Sequence, residues 1–148
     1  MTALAIPEPL LAGLYAHALT AFPDEACGYL TGPRGAAAVD AMVACRNAQP
    51  DGEHPIAPAR GADTGFVIAG AELLAFARTF DSSHPARIVY HSHTNGRAYL
   101  SDVDREMALA SGYPVHHLVI GLTAAGVTEV AQFDETLAEI ARWNPHVR

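Results

Sequence analysis

HSHTNGRAYLSDVD (residues 91–104) follows the apolar stretch ARIVY (86–90), which has the composition of a buried strand. In a strand, residues i and i+2 point to the same face of the sheet. His91 and His93 would therefore emerge side by side at the end of this strand, as two metal ligands on one element must. Two surface histidines at a strand end would give the same pattern, so H-x-H alone leaves both interpretations open.

Ser101 and Asp104 form an S-x-x-D pattern ahead of an apolar run, which is typical of a capped helix start. A cap explains both residues without any chemistry, but it also holds their side chains in fixed directions. Between the histidines and the predicted helix, Asn95-Gly96 is a turn signal. Such a turn would fold the chain back and bring Asp104 towards the two histidines.

Two neutral imidazoles and one carboxylate are a known ligand set of catalytic zinc, with the fourth position left open for water. Hydrolysis at such a site also needs a general base. The sequence has no H-E-x-x-H helix that would supply one. Asp102, beside Ser101, is by default a solvent-facing carboxylate at the helix start. Spacing alone does not choose among the candidate bases Glu25, Glu53, Glu72, Asp102 and Glu106.

The bulk properties limit the class of protein. The length of 148 residues predicts one domain spanning 1–148, and 50% hydrophobic residues with 17% charged residues are typical of a folded chain. The formal net charge of −7 disfavours nucleic-acid binding, because phosphate contacts need basic residues. There is no membrane-length apolar run, no signal-peptide pattern and no disulfide framework, so we expect a cytoplasmic protein.

Hydrophobic periodicity and the positions of proline and glycine predict interspersed strands and helices, joined by both antiparallel and crossover connections. The resulting expectation is a mixed α/β fold. The predicted elements are a helix between Pro7 and Pro23, strands at 28–32 and 36–45, a long loop at 46–65, a helix at 70–80, a strand at 86–90, a helix at 101–112, strands at 116–122 and 127–134, and a closing helix at 135–143.

The spacing of these motifs resembles a known family. His91-x-His93, seven residues, Ser101, two residues and Asp104 match the H-x-H-x7-S-x2-D signature of the JAMM (MPN+) metallopeptidases in residue type and spacing. The stretch FPDEACGYLTG (22–32) resembles the upstream segment of that family, in which an acidic residue precedes a Cys-Gly strand. The resemblance covers the order of elements through most of the chain.

The resemblance implies a fold, a cofactor and a set of residue roles. The fold would be a curved mixed β-sheet flanked by helices, in the cytidine-deaminase-like MPN/JAB architecture. One zinc ion would be held by His91, His93 and Asp104. Glu25 would be the general base towards zinc-activated water and would later protonate the leaving amine. Ser101 would hydrogen-bond the developing oxyanion, where a fixed donor has a large effect.

Thr94 and Leu100 depart from the family pattern, which often has proline after the second histidine and before the serine. Neither is a ligand, so these departures concern the shape of the loop. The family hydrolyses amide or isopeptide bonds after the C-terminal Gly-Gly of ubiquitin-like proteins, and the 46–65 loop matches a segment that clamps this tail. The short segment after Asp104 is similar to compact prokaryotic members, which process ubiquitin-like sulfur-carrier proteins.

Several other residues are given structural interpretations. Cys27, close in sequence to Glu25, is interpreted as a buried thiol, with an approach to zinc or redox sensitivity as the alternative. His54 is interpreted as an exposed loop residue, with substrate binding as the alternative. His116 and His117 open a strand and are expected to be structural or near the cleft. Trp143 is expected to anchor the last helix.

Three alternative functions have different sequence requirements. A non-catalytic MPN-type assembly module would usually lack the ligand set, whereas all of it is present here. A zinc amidohydrolase with an H-x-H strand would need a barrel of roughly 200 residues or more. A zinc nucleoside deaminase would need a P-C-x-x-C pattern, which the sequence does not contain.

Overall fold

The computed structural model of the protein describes residues 2–52 and 54–146, so Glu53 lies outside the described residues. Two short 3-10 turns, Gln49–Asp51 and Thr79–Asp81, accompany the main elements. Those elements are α1 (Glu8–Ala21), β1 (Cys27–Thr31), β2 (Ala41–Cys45), α2 (Gly70–Arg78), β3 (Ala86–His93), α3 (Asp102–Ser111), β4 (His116–Thr123), β5 (Gly126–Phe133) and β6 (Glu139–Trp143).

The strands form one mixed sheet in the order β2-β1-β3-β4-β5-β6. Neighbouring strands are antiparallel except for β3 and β4, which are parallel. A parallel pair needs a crossover connection, and here α3 supplies it. The predicted mixed α/β class is therefore confirmed, and the chain runs from the carboxyl end of β3 to the start of α3.

Apolar side chains cover both faces of this sheet. On one face, Leu14 and Ala18 of α1 pack against strand residues that include Leu30, Ile88 and Leu118. On the other face, α2 and α3 contribute to two further clusters with residues of β1, β3, β4 and β5. Among the described residues, none of the helices has the length and apolar character needed to cross a bilayer.

Alternation along β3 decides which face carries the two histidines. Ile88 and Tyr90 belong to the cluster on the α1 face, whereas Val89 packs in the cluster that contains Phe76 of α2. Since side chains alternate along a strand, His91 and His93 share the face of Val89, under α2 and α3. The strand extends through His93, beyond the predicted end at residue 90.

The predicted closing helix at 135–143 is wrong. Asp134 Oδ1 accepts hydrogen bonds from the main-chain N–H groups of Thr136 (2.8 Å) and Ala138 (3.2 Å), and Leu137 has a positive φ of 68°. The chain therefore reverses and returns as β6, antiparallel to β5. The helix-favouring composition of this segment is outweighed by pairing with a strand already present, since propensity is a weak determinant next to tertiary contacts.

The predicted strand at 36–45 is correct only in its second half. β2 spans Ala41–Cys45, and the earlier residues contribute a single parallel bridge between Ala38 and Ala5. β2 pairs with β1 in antiparallel orientation. A bridge to the N-terminal segment thus replaces the first half of the expected strand.

Trp143 anchors the last strand rather than a last helix. Its Nε1–H donates to the Tyr15 hydroxyl oxygen on α1 at 2.9 Å. We expect Trp143→Phe and Tyr15→Phe each to lower the free energy of unfolding by about 1 kcal/mol, because each leaves one partner unpaired. Urea denaturation would measure this. If the double variant lost as much unfolding free energy as the two single variants together, a direct interaction between the two side chains would be contradicted.

Candidate metal centre

Three potential ligand atoms converge where β3 meets the start of α3. The Nε2 atoms of His91 and His93 lie 3.1 Å apart, and each lies 3.1 Å from Oδ2 of Asp104. In a tetrahedral zinc site with bonds of about 2.0 Å, two ligand atoms lie roughly 3.3 Å apart. The residues present therefore have the spacing and the donor types that a zinc ion takes.

Burial and charge act together on these three groups. His91 and His93 are buried, and burial lowers the pKa of His93, which favours the neutral imidazole. Burial also opposes a charge on His91, but the adjacent Asp104 carboxylate outweighs it and raises the pKa of His91. Burial alone would raise the pKa of Asp104, yet the two imidazoles hold that pKa well below its usual range. Asp104 is thus kept as a carboxylate.

The start of α3 holds Asp104 through a complete capping box. Ser101 Oγ accepts from the Asp104 main-chain N–H at 3.1 Å, and Asp104 Oδ2 accepts from the Ser101 main-chain N–H at 3.0 Å. Gly112 ends the helix in the left-handed conformation. Because a hydroxyl can donate and accept at once, Ser101 keeps its own O–H for a further acceptor. The capping interpretation is confirmed, and it is compatible with metal binding.

Glu25 places a second carboxylate beside the histidines. Glu25 lies just before β1, and its side chain is buried. One of its carboxylate oxygens lies within 4.8 Å of a ring nitrogen of His91 and of His93. Burial raises the pKa of Glu25 to about 8, against the lowering effect of nearby His91. A carboxyl group with this pKa can exchange a proton near neutral pH, as a general base must.

Two aromatic rings fix the orientation of the imidazoles. The Phe66 ring stacks on the His91 ring, with centroids 4.4 Å apart and an interplanar angle of 18°. The Tyr99 ring meets the His93 ring edge-on at 4.7 Å. Each imidazole is therefore packed on one side by an aromatic neighbour, which restricts its rotation.

An apolar cavity of about 460 Å³ opens beside the cluster. His91, Asp104, His54 and His117 line it together with apolar side chains. Burial lowers the pKa of His117 to about 4, so this imidazole is neutral at physiological pH. The apolar lining includes Phe66, Ile68, Leu73, Met107, Tyr113 and Val115. The cavity can therefore hold an uncharged, largely apolar part of a ligand next to the candidate metal centre.

The other candidate bases do not join the cluster. Glu72 accepts a hydrogen bond from the main-chain N–H of Arg46 at 2.9 Å. Asp102 and Glu106 are exposed on α3, as the default interpretation of Asp102 predicts. Of the candidate general bases among the described residues, only Glu25 has its carboxylate close to the two histidines.

His54 is buried, so its prediction as an exposed residue is wrong. Its Nδ1 accepts the main-chain N–H groups of Ile56 and Ala57, at 3.1 and 3.0 Å, and this local turn draws the ring inwards. Cys27 is a buried free thiol, as predicted, and burial raises its pKa far above the usual range. His116 is structural and bonds Gln132 at 2.7 Å.

Sequence patterns did not indicate several residues that shape the site. Ser92 faces away from the histidines between which it lies, and its Oγ accepts from the Ala26 main-chain N–H at 2.7 Å. No sequence pattern indicated that Phe66 and Tyr99 would pack on the histidines, because such ring contacts depend on how separate segments of the chain come together. Asn47 follows β2, and its amide contacts the main-chain carbonyl of Glu25.

Similarity to known structures supports the fold. A JAB1/MPN domain protein from Archaeoglobus fulgidus superposes with a TM-score of 0.56 at 14% identity, covering 93% of this chain and 95% of the other. A structure described as a JAMM metalloprotease-like zinc site in the proteasome and signalosome gives a TM-score of 0.52 at 15% identity, covering 95% of each chain. At these identities the likeness concerns the fold, and it confirms the predicted architecture.

Sequence similarity identifies the family. Residues 7–134 match the family model described as prokaryotic homologues of the JAB domain. The CysO-cysteine peptidase of Mycobacterium tuberculosis is 30% identical over 118 residues, which cover 79% of this chain and 72% of that protein. The protein of that name from Mycobacterium bovis matches to the same extent. The resemblance to JAMM (MPN+) proteins is thus confirmed, and the chain belongs to the family of prokaryotic JAB-domain homologues.

Proposed function

We propose that this protein is a zinc-dependent peptidase that hydrolyses the amide or isopeptide bond after the C-terminal Gly-Gly of a ubiquitin-like sulfur-carrier protein. The observation that carries the proposal is the buried cluster of His91, His93 and Asp104 with the carboxyl group of Glu25 beside it. The relatives named CysO-cysteine peptidase support a peptidase activity, and they point to a sulfur carrier as the substrate.

The three equal distances favour Asp104 as the third zinc ligand. Asp104 Oδ2 completes a triangle of 3.1 Å sides with the two imidazole nitrogens. This spacing is the one that a single zinc ion requires, and the carboxyl group of Glu25 lies within 4.8 Å of the same nitrogens, close enough to act on a water held there. Glu25 then stays outside the ligand set and faces it.

Each residue then has a distinct task in the reaction. A bound zinc ion would supply Lewis-acid polarisation of the scissile carbonyl and of a water molecule. The Glu25 carboxylate takes the proton of the attacking water and passes it to the nitrogen of the leaving amine. Ser101 Oγ–H donates to the oxygen of the former carbonyl, where negative charge develops. The capping box orients Ser101 for this donation.

The surroundings of the cluster suit an extended protein tail. Two glycines have no side chains and can pass close to the ligands, while the apolar cavity of about 460 Å³ accommodates residues that precede them. The cysteines Cys27 and Cys45 are both free although they are cross-strand partners, which fits the reducing cytoplasm that we propose as the location.

The activity can be tested with sulfur-carrier proteins that end in Gly-Gly and bear one further residue, such as cysteine, or a longer peptide. The zinc-loaded protein should remove the extension, and intact mass spectrometry would show the loss at the Gly-Gly boundary. If none of a panel of such carriers changed mass, the non-catalytic assembly module would be the better interpretation.

Zinc binding should depend on Asp104 but not on its neighbour in sequence, Asp102. We expect one zinc ion per chain in the wild-type protein, and less than about a tenth of that in Asp104→Ala or His93→Ala, since loss of one of three ligands weakens a zinc site severely. Asp102→Ala, which removes an exposed carboxylate from the same helix turn, should retain full zinc. Elemental analysis measures this, and equal zinc in Asp104→Ala would refute the ligand assignment.

A further inference from the structure

The main chain of Glu25 is held at both of its polar groups by the segment that follows β2. Its N–H donates to the carbonyl oxygen of Ala62 at 2.7 Å. Its carbonyl oxygen accepts from Nδ2 of Asn47 at 3.0 Å. The direction in which the Glu25 carboxyl group leaves the backbone therefore depends on the position of this segment.

Asn47 also joins the two ends of the 46–65 loop. Its amide makes four further contacts: Nδ2 donates to the carbonyl oxygens of Gly65 (2.9 Å) and Ala62 (3.4 Å), and Oδ1 accepts from the main-chain N–H groups of Gln49 (3.0 Å) and Val67 (3.3 Å). Phe66, whose ring stacks on His91, lies between Gly65 and Val67. One side chain therefore connects the general base to the segment that packs on a proposed ligand.

We propose that Asn47 is a positioning residue that fixes the Glu25 carboxyl group relative to the histidine–aspartate cluster. This inference rests on the proposed peptidase function. A displacement of a reacting group by about 1 Å can slow a reaction by up to roughly a hundredfold, even when binding is unaffected. Loss of the Asn47 donor should therefore reduce kcat more than it changes KM.

Gln49 offers a matched control in the same loop. It is a fully buried amide, and its Nε2 donates to the carbonyl oxygens of Ala57 (2.8 Å) and Arg60 (3.1 Å). It holds the middle of the loop in the way that Asn47 holds its ends, but none of its side-chain bonds reaches Glu25. A purely structural role of the loop amides would make both substitutions behave alike.

The kinetic test compares Asn47→Asp with Gln49→Ala in the zinc-loaded, full-length protein. Aspartate keeps oxygens that accept from the N–H groups of Gln49 and Val67, but it has no donor for the Glu25 carbonyl. We expect kcat of Asn47→Asp to fall at least about tenfold, with KM changed by less than about threefold and zinc retained. Gln49→Ala should keep kcat within about threefold.

An unchanged kcat in Asn47→Asp, or equal losses in both variants, would overturn the inference. Asn47→Ser is uncharged and also lacks the reach to Glu25, so it provides the same test if the aspartate variant does not fold.

Amide hydrogen exchange tests the same contact without relying on activity. The Glu25 N–H should exchange at least about tenfold faster in Asn47→Asp, because its acceptor Ala62 is no longer tied to Asn47, and within about threefold of wild type in Gln49→Ala. NMR would measure the exchange rate of this amide. If the wild type cleaves no carrier but this exchange pattern is seen, the proposed peptidase function is refuted, whereas the positioning of Glu25 by Asn47 is supported. If the wild type cleaves but Glu25 exchange is unchanged, the inference fails alone.

Discussion

Glu25→Gln should retain zinc and lose almost all peptidase activity. Glutamine has nearly the same size and shape as glutamate but cannot take a proton from water at neutral pH. Because a positioned general base contributes about 10²- to 10⁴-fold to a rate, we expect kcat to fall within that range. Cleavage of a carrier with a residue after Gly-Gly, followed by intact mass, measures the rate, and elemental analysis measures zinc.

Glu72→Gln is the matched control for this substitution. Glu72 is a partly buried glutamate whose carboxylate accepts a hydrogen bond from the main chain of Arg46. It should leave kcat unchanged. Full activity in Glu25→Gln would show that the base is assigned wrongly. Loss of zinc in Glu25→Gln would instead show that Glu25 is a zinc ligand and would contradict its assignment as the base.

Gly28→Ala should strongly destabilise the sheet. A Cβ at this position would lie 2.3 Å from the carbonyl oxygen of Val43 on β2 and 2.6 Å from the Tyr90 hydroxyl on β3. Both neighbouring strands are paired with β1, so neither can move away without breaking the sheet. We expect a loss of about 3 kcal/mol in the free energy of unfolding, the upper part of the usual range for overpacking.

Gly13→Ala serves as the control because it adds the same methyl group in α1. The new Cβ would meet only the flexible Met42 Sδ, at 3.2 Å. Alanine also favours the helix over glycine by about 1 kcal/mol, so this variant should be neutral or slightly stabilised. Thermal and urea unfolding of both variants would test the difference. Equal stability of Gly28→Ala and wild type would contradict the close approach of Val43 and Tyr90 to Gly28.

Local sequence signals predicted the elements that begin and end at capping or turn residues. The S-x-x-D pattern at Ser101 and the glycine at 112 predicted α3 correctly, since caps are interactions within a few residues. The closing helix failed because the segment 135–143 contains good helix formers, whereas its actual state depends on an available edge of β5. The reversal at Asp134 brings the chain back along this edge, and no glycine or proline marks it in the sequence.

The candidate ligands were visible in the sequence because they lie on two consecutive elements. Period-two spacing placed His91 and His93 on one face, and a helix cap presented Asp104 to them. The base, Glu25, was one of several equal candidates until the family resemblance distinguished it. The structure supports that choice by bringing its carboxylate to the histidines, while the roles of Glu25 and Ser101 remain predictions for the experiments above.

The sequence by itself determined the order of most helices and strands, and the H-x-H and S-x-x-D motifs that carry the candidate metal ligands. These are local properties, decided by strand alternation and capping within residues 91–104. Only the tertiary structure showed that the Glu25 carboxyl group lies beside the histidines, that His54 is buried, and that Asn47 ties the 46–65 loop to Glu25. Those facts depend on contacts between segments far apart in the chain, and single-residue preferences do not encode which distant partner a side chain will meet.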